Sequence, residues 1–140
     1  MSRRQVLVDT GPLVAILSQS DEHHDRCMET LKQLPAPLLT CWPVITEAAW
    51  LLRSRPSAVQ DLLKSLENRL IELLPMERDS IEPVAGFLRK YEKIGSQLAD
   101  ACLLHLAERE QITTVFTLDR RDFTLYRINR NQKLNLLPAV

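Results

Sequence analysis

Gln5-Val6-Leu7-Val8-Asp9-Thr10-Gly11-Pro12 is the stretch that decides the fold of this chain. Its short apolar run, residues 6–8, is typical of a strand that is buried on both faces of a parallel sheet. The glycine and proline that follow end the strand and begin a helix, with Thr10 as the expected helix cap. Asp9 is therefore predicted at the carboxyl end of a central strand, where open α/β sheets build their sites.

The rest of the chain alternates short apolar runs with segments that are apolar at helical spacing. Further strands are predicted at residues 38–41, 70–74 and 114–118, with a weaker one at 134–137. Helices are predicted between them, at residues 13–18, 44–53 and 97–108 and around three apolar faces at 27–34, 59–66 and 84–91. Strands that alternate with helices indicate a mostly parallel sheet with helices on both faces. We expect one α/β domain over residues 1–140, a three-layer α/β/α sandwich.

Two of these helices carry signals for their starting points. Ser96 is the predicted cap of the helix at residues 97–108, which is apolar nearly all round and is expected to be buried. Asp79 and Glu82 have the spacing of a capping box for the preceding helix. Gly95 is predicted to end that preceding helix.

The charge of the chain is balanced overall and uneven locally. Eighteen basic residues face eighteen acidic ones, so there is no bulk electrostatic argument for binding nucleic acid. The segment 120–133, however, contains Asp122 as its one acid beside five basic residues, which are Arg120, Arg121, Arg127, Arg130 and Lys133. Such a segment suits a phosphodiester substrate, and it equally suits a solvated surface loop.

Cysteine and histidine usage gives no metal site. Cys27, Cys41 and Cys102 are odd in number and lie far apart, so we expect buried thiols in a reducing cytoplasm and neither a disulfide framework nor a zinc site. His23 and His24 lack a third ligand at usable spacing. No leader and no apolar run long enough to cross a bilayer is present, so we expect a cytoplasmic protein without membrane contact.

Four carboxylates stand where a catalytic site would need them. Asp9 and Asp119 follow predicted strands, and Glu47 and Asp100 lie early in helices that are otherwise apolar. Each could instead be a helix cap, but buried carboxylates without partners are costly. If the four converge, their repulsion favours protonation, which a divalent cation would relieve. An all-oxygen ligand set favours Mg²⁺ or Mn²⁺ over Zn²⁺, and such an ion supports phosphodiester hydrolysis.

Four short strings place these acids in order along nearly the whole chain: Val8-Asp9-Thr10, Thr46-Glu47-Ala48, Leu98-Ala99-Asp100-Ala101 and Thr117-Leu118-Asp119-Arg120-Arg121-Asp122-Phe123. In these strings the chain resembles the PIN-domain ribonucleases, and most closely the small VapC-type toxins of prokaryotic toxin–antitoxin pairs. The resemblance implies a three-layer α/β/α fold, dependence on Mg²⁺ or Mn²⁺, and endonucleolytic cleavage of RNA.

The resemblance also implies roles for particular residues. The catalytic and metal-binding carboxylates would be those of Asp9, Glu47, Asp100 and Asp119. Asp122 stays open as a substitute for Asp119. Two threonines, Thr10 and Thr117, would orient carboxylates or waters from behind, and two arginines, Arg120 and Arg121, would contact RNA. The resemblance further implies a homodimer and a cognate antitoxin protein that wraps the toxin and blocks its site.

Other enzymes with an acid after the first strand fit less well. A phosphoryl-transfer enzyme of the haloacid dehalogenase type would need a second Asp two positions after Asp9, where Gly11 stands. A receiver-type phospho-acceptor would need a paired acid near the first strand and a lysine late in the sheet. The alternative that stays open is a PIN-like protein- or RNA-binding module without catalytic activity.

Overall fold

A five-stranded parallel sheet forms the centre of the molecule, of which the computed structural model describes residues 4–139. The strands of the chain are β1 (Leu7–Val8), β2 (Leu38–Thr40), β3 (Ile71–Leu73), β4 (Thr114–Phe116), β5 (Arg127–Ile128), β6 (Gln132–Lys133) and β7 (Asn135–Leu137). The sheet has the order β3-β2-β1-β4-β7, and each neighbouring pair in it is parallel. The stretch around Asp9 therefore does contain the central strand.

In the described part of the chain, seven helices flank this sheet. They are α1 (Thr10–Leu17), α2 (His24–Lys32), α3 (Trp42–Leu51), α4 (Pro56–Glu67), α5 (Ile81–Lys90), α6 (Leu98–Glu110) and α7 (Arg120–Phe123), with 3-10 turns at Arg78–Ser80 and Glu92–Ile94. The predicted three-layer α/β/α fold is confirmed. Within residues 4–139, no helix combines the length and the apolar character that a membrane span requires.

The hydrophobic core is built around β1 and α6. Val6, Leu7 and Val8 are buried, as a strand covered on both faces requires. Eight of the thirteen residues of α6 are buried, which confirms the prediction of a core helix. The backbone N–H of Asp9 donates to the Phe116 carbonyl at 2.9 Å, so the carboxyl ends of β1 and β4 lie side by side.

The predicted start signals of α5 and α6 are wrong. Gln97, not Ser96, is the residue before α6, and the Gln97 side chain makes no capping hydrogen bond. Helix α5 begins at Ile81 after Ser80, without the predicted box between Asp79 and Glu82. In both places the side chain has another partner: the Ser96 hydroxyl contacts Tyr126, and Glu82 pairs with Arg89. The Ser96 contact joins distant segments of the chain, whereas the Glu82–Arg89 pair is an exposed one within α5.

Two other local predictions, for Gly95 and the cysteines, agree with the structure, and the predicted cap of α1 is wrong by one residue. Gly95 has a left-handed backbone, with φ +79°, after the turn that follows α5. The three cysteines are all free and buried. Thr10 is the first residue of α1 rather than its cap, because Asp9 occupies the cap position. This one-residue difference frees the Thr10 hydroxyl for another contact.

The second half of the basic segment, residues 127–133, forms a two-stranded ribbon that the sequence did not predict. Strands β5 and β6 pair antiparallel, with Arg127 opposite Lys133. The turn between them uses Asn129 and Arg130 at positive φ, 48° and 77°. Ile128 is fully buried and anchors the ribbon to the core.

Candidate active site

One cavity of about 400 Å³ at the carboxyl ends of β1 and β4 receives all four acids that the sequence singled out. Glu47 reaches it from α3 and Asp100 from α6, while Asp9 and Asp119 follow β1 and β4. The cavity is lined by Asp9, Thr10, Gly11, Glu47, Leu51, Gly95, Gln97, Asp100, Leu118, Asp119 and Asp122. Residues that are up to 113 positions apart in sequence therefore form one acidic surface.

Asp9 is the most buried of these acids, with 7% of its surface exposed. Its Oδ2 accepts a hydrogen bond of 2.8 Å from the Thr117 hydroxyl, and Thr117 is fully buried. Burial raises the pKa of Asp9 to about 7, because loss of water disfavours the charged form; the carboxylates of Asp100 and Glu47 add to the rise. Without a cation, burial therefore favours the neutral form of the Asp9 carboxyl well above the pH at which a free aspartate ionises.

Glu47 is held by the other threonine of the site. The Thr10 hydroxyl, at the first position of α1, donates to Glu47 Oε1 at 2.7 Å. Thr10 is buried and Glu47 is half-buried. The two threonines predicted to orient carboxylates thus each donate to one acid of the cavity.

Asp100 has a partner that the sequence did not indicate. The Tyr126 hydroxyl donates to Asp100 Oδ2 at 2.8 Å, and the Ser96 hydroxyl lies 2.6 Å from the same Tyr126 oxygen. Burial raises the pKa of Asp100, and Asp119 and Glu47 add to this, while the hydrogen bonds from Tyr126 and the Gln97 backbone oppose it. The residues after Phe123 carry no recognisable motif, so nothing in the sequence marked Tyr126.

Asp119 and Asp122 lie close together at one side of the cavity. Asp119 caps α7, since its Oδ1 accepts the Asp122 backbone N–H at 3.1 Å. Carboxylate oxygens of Asp100, Asp119 and Asp122 all lie within 4.8 Å of one another. Loss of water and the Asp119 charge raise the pKa of Asp122. Asp122 therefore belongs to the same cluster as the acid for which it was considered a substitute.

The donor set of this cluster fits a divalent cation. Asp100, Asp119 and Asp122 are each half-buried and offer only carboxylate oxygens. Across residues 4–139, none of the five acids of the cavity forms an ion pair with a basic side chain. Carboxylate oxygens are hard donors, and those that form no salt bridge suit Mg²⁺ or Mn²⁺ better than Zn²⁺.

The two arginines after Asp119 differ in their surroundings. Arg120 donates from Nη1 to the Pro138 carbonyl at 2.7 Å, which ties α7 to the segment after β7. Arg121 is exposed. Neither arginine lines the acidic cavity, so any contact with a substrate would be made at its edge.

Comparison with known proteins identifies the family. The model of the PIN domain matches residues 6–130, which span all five acids and both threonines. The chain belongs to the PIN domain family. Ribonuclease VapC26 of Mycobacterium tuberculosis (strain ATCC 25618 / H37Rv) is 27% identical over 135 residues, which cover 95% of this chain and 100% of that relative.

Solved structures show the same PIN domain fold. VapC20 of Mycobacterium tuberculosis, described as a sarcin-ricin loop cleaving toxin, has a TM-score of 0.71 at 17% identity over 83% of this chain and 91% of that chain. VapBC2 of Rickettsia felis, solved bound to a DNA fragment from its promoter, has a TM-score of 0.62 at 15% identity over 94% of this chain and 97% of that chain. In this PIN domain, the acids come from four separate places along the fold.

Proposed function

We propose that this PIN domain is a divalent-metal-dependent endoribonuclease that hydrolyses RNA phosphodiester bonds and acts as the toxin of a toxin–antitoxin pair. The observation that carries the proposal is the convergence of five acids without a basic partner in one cavity. The ribonuclease name of the 27% identical relative supports the same reaction class. The three free, buried cysteines fit a reducing cytoplasm.

Mg²⁺ or Mn²⁺ is the cofactor that the donor set favours. The carboxylates of Asp100, Asp119 and Asp122, with those of Asp9 and Glu47 lining the same cavity, would hold it. When bound, such an ion supplies Lewis-acid stabilisation of phosphate oxygens and lowers the pKa of a coordinated water. Hydrogen bonds from Thr117 and Thr10 hold the Asp9 and Glu47 carboxylates in place. These acids would therefore lose little conformational freedom when the ion binds.

RNA is the proposed substrate, held partly by the basic segment. Arg121 is exposed and adjoins Asp122, so it can reach a phosphate at the edge of the cavity. The Arg120 side chain donates a hydrogen bond to the Pro138 carbonyl, so it would contribute positive charge near the protein surface without extending toward the RNA. Basic side chains of this kind attract the phosphate backbone without reading its sequence.

A homodimer is the proposed assembly, formed through an apolar face. This face surrounds a groove of about 1030 Å³ between α3, α5 and α6. Its exposed side chains include Trp42 at 59%, Ile81 at 66% and Leu98 at 55% exposure. Trp50 extends the face to Glu47 at the acidic cavity. A second copy would cover this surface and bring two cavities close to each other.

An antitoxin protein is the proposed inhibitor. The fold neighbour VapBC2 of Rickettsia felis, which was solved bound to a DNA fragment from its promoter, supports an antitoxin partner for this chain. We propose that the antitoxin of this chain covers the acidic cavity, where a basic side chain would replace the cation. Co-expression with the antitoxin would then restore growth that the active chain arrests.

Metal-dependent cleavage of a mixed RNA pool tests the proposed reaction. The wild type should cut with Mg²⁺ or Mn²⁺ and stop in chelator, while Asp9→Asn and Asp100→Asn should not cut. Equal cleavage by all three proteins would indicate a contaminating nuclease and contradict the assignment. RNA binding without any cleavage by the wild type would favour the alternative, a non-catalytic PIN-like binding module.

A further inference from the structure

Tyr126 is fully buried, and its hydroxyl contacts Asp100, an acid that lines the cavity. Its ring packs edge-on against Phe123 and Tyr91, with ring centroids 4.9 and 4.8 Å away. Its hydroxyl lies 2.8 Å from Asp100 Oδ2 and 2.6 Å from the Ser96 hydroxyl. The aromatic cluster leaves this hydroxyl little freedom to move.

The chemistry of these three groups fixes the direction of the hydrogen bonds. An ionised carboxylate only accepts, so Tyr126 donates its single hydroxyl proton to Asp100. The Tyr126 oxygen then accepts from Ser96, which must be the donor of that pair. Donation by Ser96 polarises the Tyr126 hydroxyl and strengthens its bond to Asp100. Ser96 thereby acts on the carboxylate through Tyr126.

We propose that Tyr126 is a positioning residue that orients the Asp100 carboxylate for the divalent cation, with Ser96 holding Tyr126 in place; this rests on the proposed function. An aspartate early in a helix otherwise samples several rotamers, and each ligand that must be ordered on binding lowers the affinity for the ion. The hydroxyl pair, together with the bond from the Gln97 backbone, restricts this freedom at the one acid that lies both in the three-carboxylate cluster and on α6.

Tyr91 offers a matched control in the same aromatic cluster. Its hydroxyl accepts the Arg127 backbone N–H at 2.8 Å and does not contact any acid of the cavity. Tyr126→Phe and Tyr91→Phe therefore remove the same atom from neighbouring rings. A loss of packing or stability alone affects both variants, whereas a loss of carboxylate orientation affects only Tyr126→Phe.

The test is a direct Mn²⁺ titration of the full chain, read by the electron paramagnetic resonance of free Mn²⁺, beside cleavage of RNA. Tyr126→Phe should weaken Mn²⁺ binding and lower kcat by about tenfold or more. Tyr91→Phe should keep both its Mn²⁺ affinity and its kcat within about twofold of the wild type, since the Tyr91 hydroxyl does not contact Asp100. Ser96→Ala should fall between them, because it acts only through Tyr126.

Equal Mn²⁺ affinity for Tyr126→Phe and Tyr91→Phe would overturn the proposal, whatever their melting temperatures. If Tyr126→Phe does not fold, Ser96→Ala decides: unchanged Mn²⁺ affinity overturns the proposal and weaker affinity supports it. A wild type that binds Mn²⁺ more tightly than Tyr126→Phe but cuts no RNA would refute the nuclease and support the positioning role. A wild type that binds no Mn²⁺ would refute both.

Discussion

The hydroxyl of Thr117 donates to Asp9 Oδ2 at 2.8 Å, across 108 positions of sequence. The Thr117 hydroxyl oxygen also accepts the backbone N–H of Asp119, at 3.0 Å. One fully buried side chain thus joins the acid after β1 to the backbone of the acid after β4. Thr117 therefore adds a side-chain link between these two positions to the backbone pairing of β1 and β4.

Replacing Thr117 with valine keeps the volume of the side chain and removes both hydrogen bonds. We expect Thr117→Val to lower cleavage by about tenfold or more, because Asp9 and the turn at Asp119 lose a shared partner. The buried groups left unpaired should also cost about 1–3 kcal/mol of unfolding free energy. RNA cleavage and urea denaturation measure the two effects separately.

Thr40 provides the control for that substitution. It is also a fully buried threonine at a strand end, and its hydroxyl donates to the Val8 carbonyl at 2.8 Å rather than to an acid. Thr40→Val should lose stability but keep the cleavage rate of its folded fraction. Equal losses of cleavage in the two variants would show that Thr117 acts only through stability.

Asp9 should make the metal-free protein less stable as pH rises. Its pKa in the folded chain is raised from 3.8 to about 7 by burial, so the folded state binds the proton more tightly than the unfolded state. Protonated Asp9 therefore stabilises the folded state relative to ionised Asp9. This contribution to the free energy of unfolding is fully present below about pH 4 and is lost as pH rises through about 7. Asp9→Asn should remove this loss and gain up to about 4 kcal/mol over the wild type at about pH 8 in chelator.

Urea denaturation at about pH 5 and about pH 8 checks this linkage. Asp61→Asn, at an exposed aspartate on α4, should show the same pH dependence as the wild type. A wild type that is equally stable at both pH values in chelator, or an Asp9→Asn variant less stable than the wild type, would mean that Asp9 stabilises the fold as a carboxylate.

Much of the fold followed from local pattern. The apolar run at residues 6–8 predicted the central strand because a strand covered on both faces has no polar side to show. The acids at strand ends and in apolar helices predicted a shared edge, since parallel strands place their carboxyl ends together. These inferences needed only neighbours in sequence and the geometry of a parallel sheet.

The features that the sequence did not predict depend on contacts between distant segments of the chain. Ser96 stands where a cap should stand, but its hydroxyl bonds to Tyr126, 30 positions away. The ribbon of β5 and β6 has strands of two residues each, too short to give a periodic pattern. Tyr126 lies just before that ribbon, so its contact with Asp100 could not be inferred from its own neighbourhood in the chain.

Asp122 should contribute to metal binding together with Asp119. Its carboxylate lies within 4.8 Å of those of Asp100 and Asp119, and its charge is costly there without a cation. We expect Asp122→Asn to weaken Mn²⁺ binding by about tenfold, and to raise the stability of the metal-free protein slightly because like charges are removed. Calorimetric titration with Mn²⁺ measures the first effect. Unchanged affinity would leave Asp119 as the single acid supplied by this segment.

A charge on the apolar face should separate the proposed homodimer. Ile81 is the first residue of α5 and is 66% exposed, so Ile81→Glu places a charge in the interface without disturbing the helix, whose first turn accepts an acid well. Sedimentation should show a dimer for the wild type and a monomer for the variant. Leu63→Glu, at a 42% exposed position on α4, should remain a dimer. A monomeric wild type would contradict the proposed assembly.

Substitution of the two arginines after Asp119 should have different effects: loss of Arg121 should weaken RNA binding, and loss of Arg120 should lower stability. Arg121 is exposed and attracts the neighbouring Asp122 carboxylate by charge without forming a salt bridge among residues 4–139, so Arg121→Ala should raise KM for RNA and reduce the salt dependence of binding, with little change in unfolding free energy. Arg120→Ala breaks the bond to the Pro138 carbonyl and should lower stability by about 1 kcal/mol. Cleavage at several salt concentrations, beside thermal unfolding, distinguishes the two. If Arg121→Ala leaves KM and its salt dependence unchanged, the RNA phosphates are held elsewhere, and the ribbon residues Arg127, Arg130 and Lys133 become the substitutions to make next.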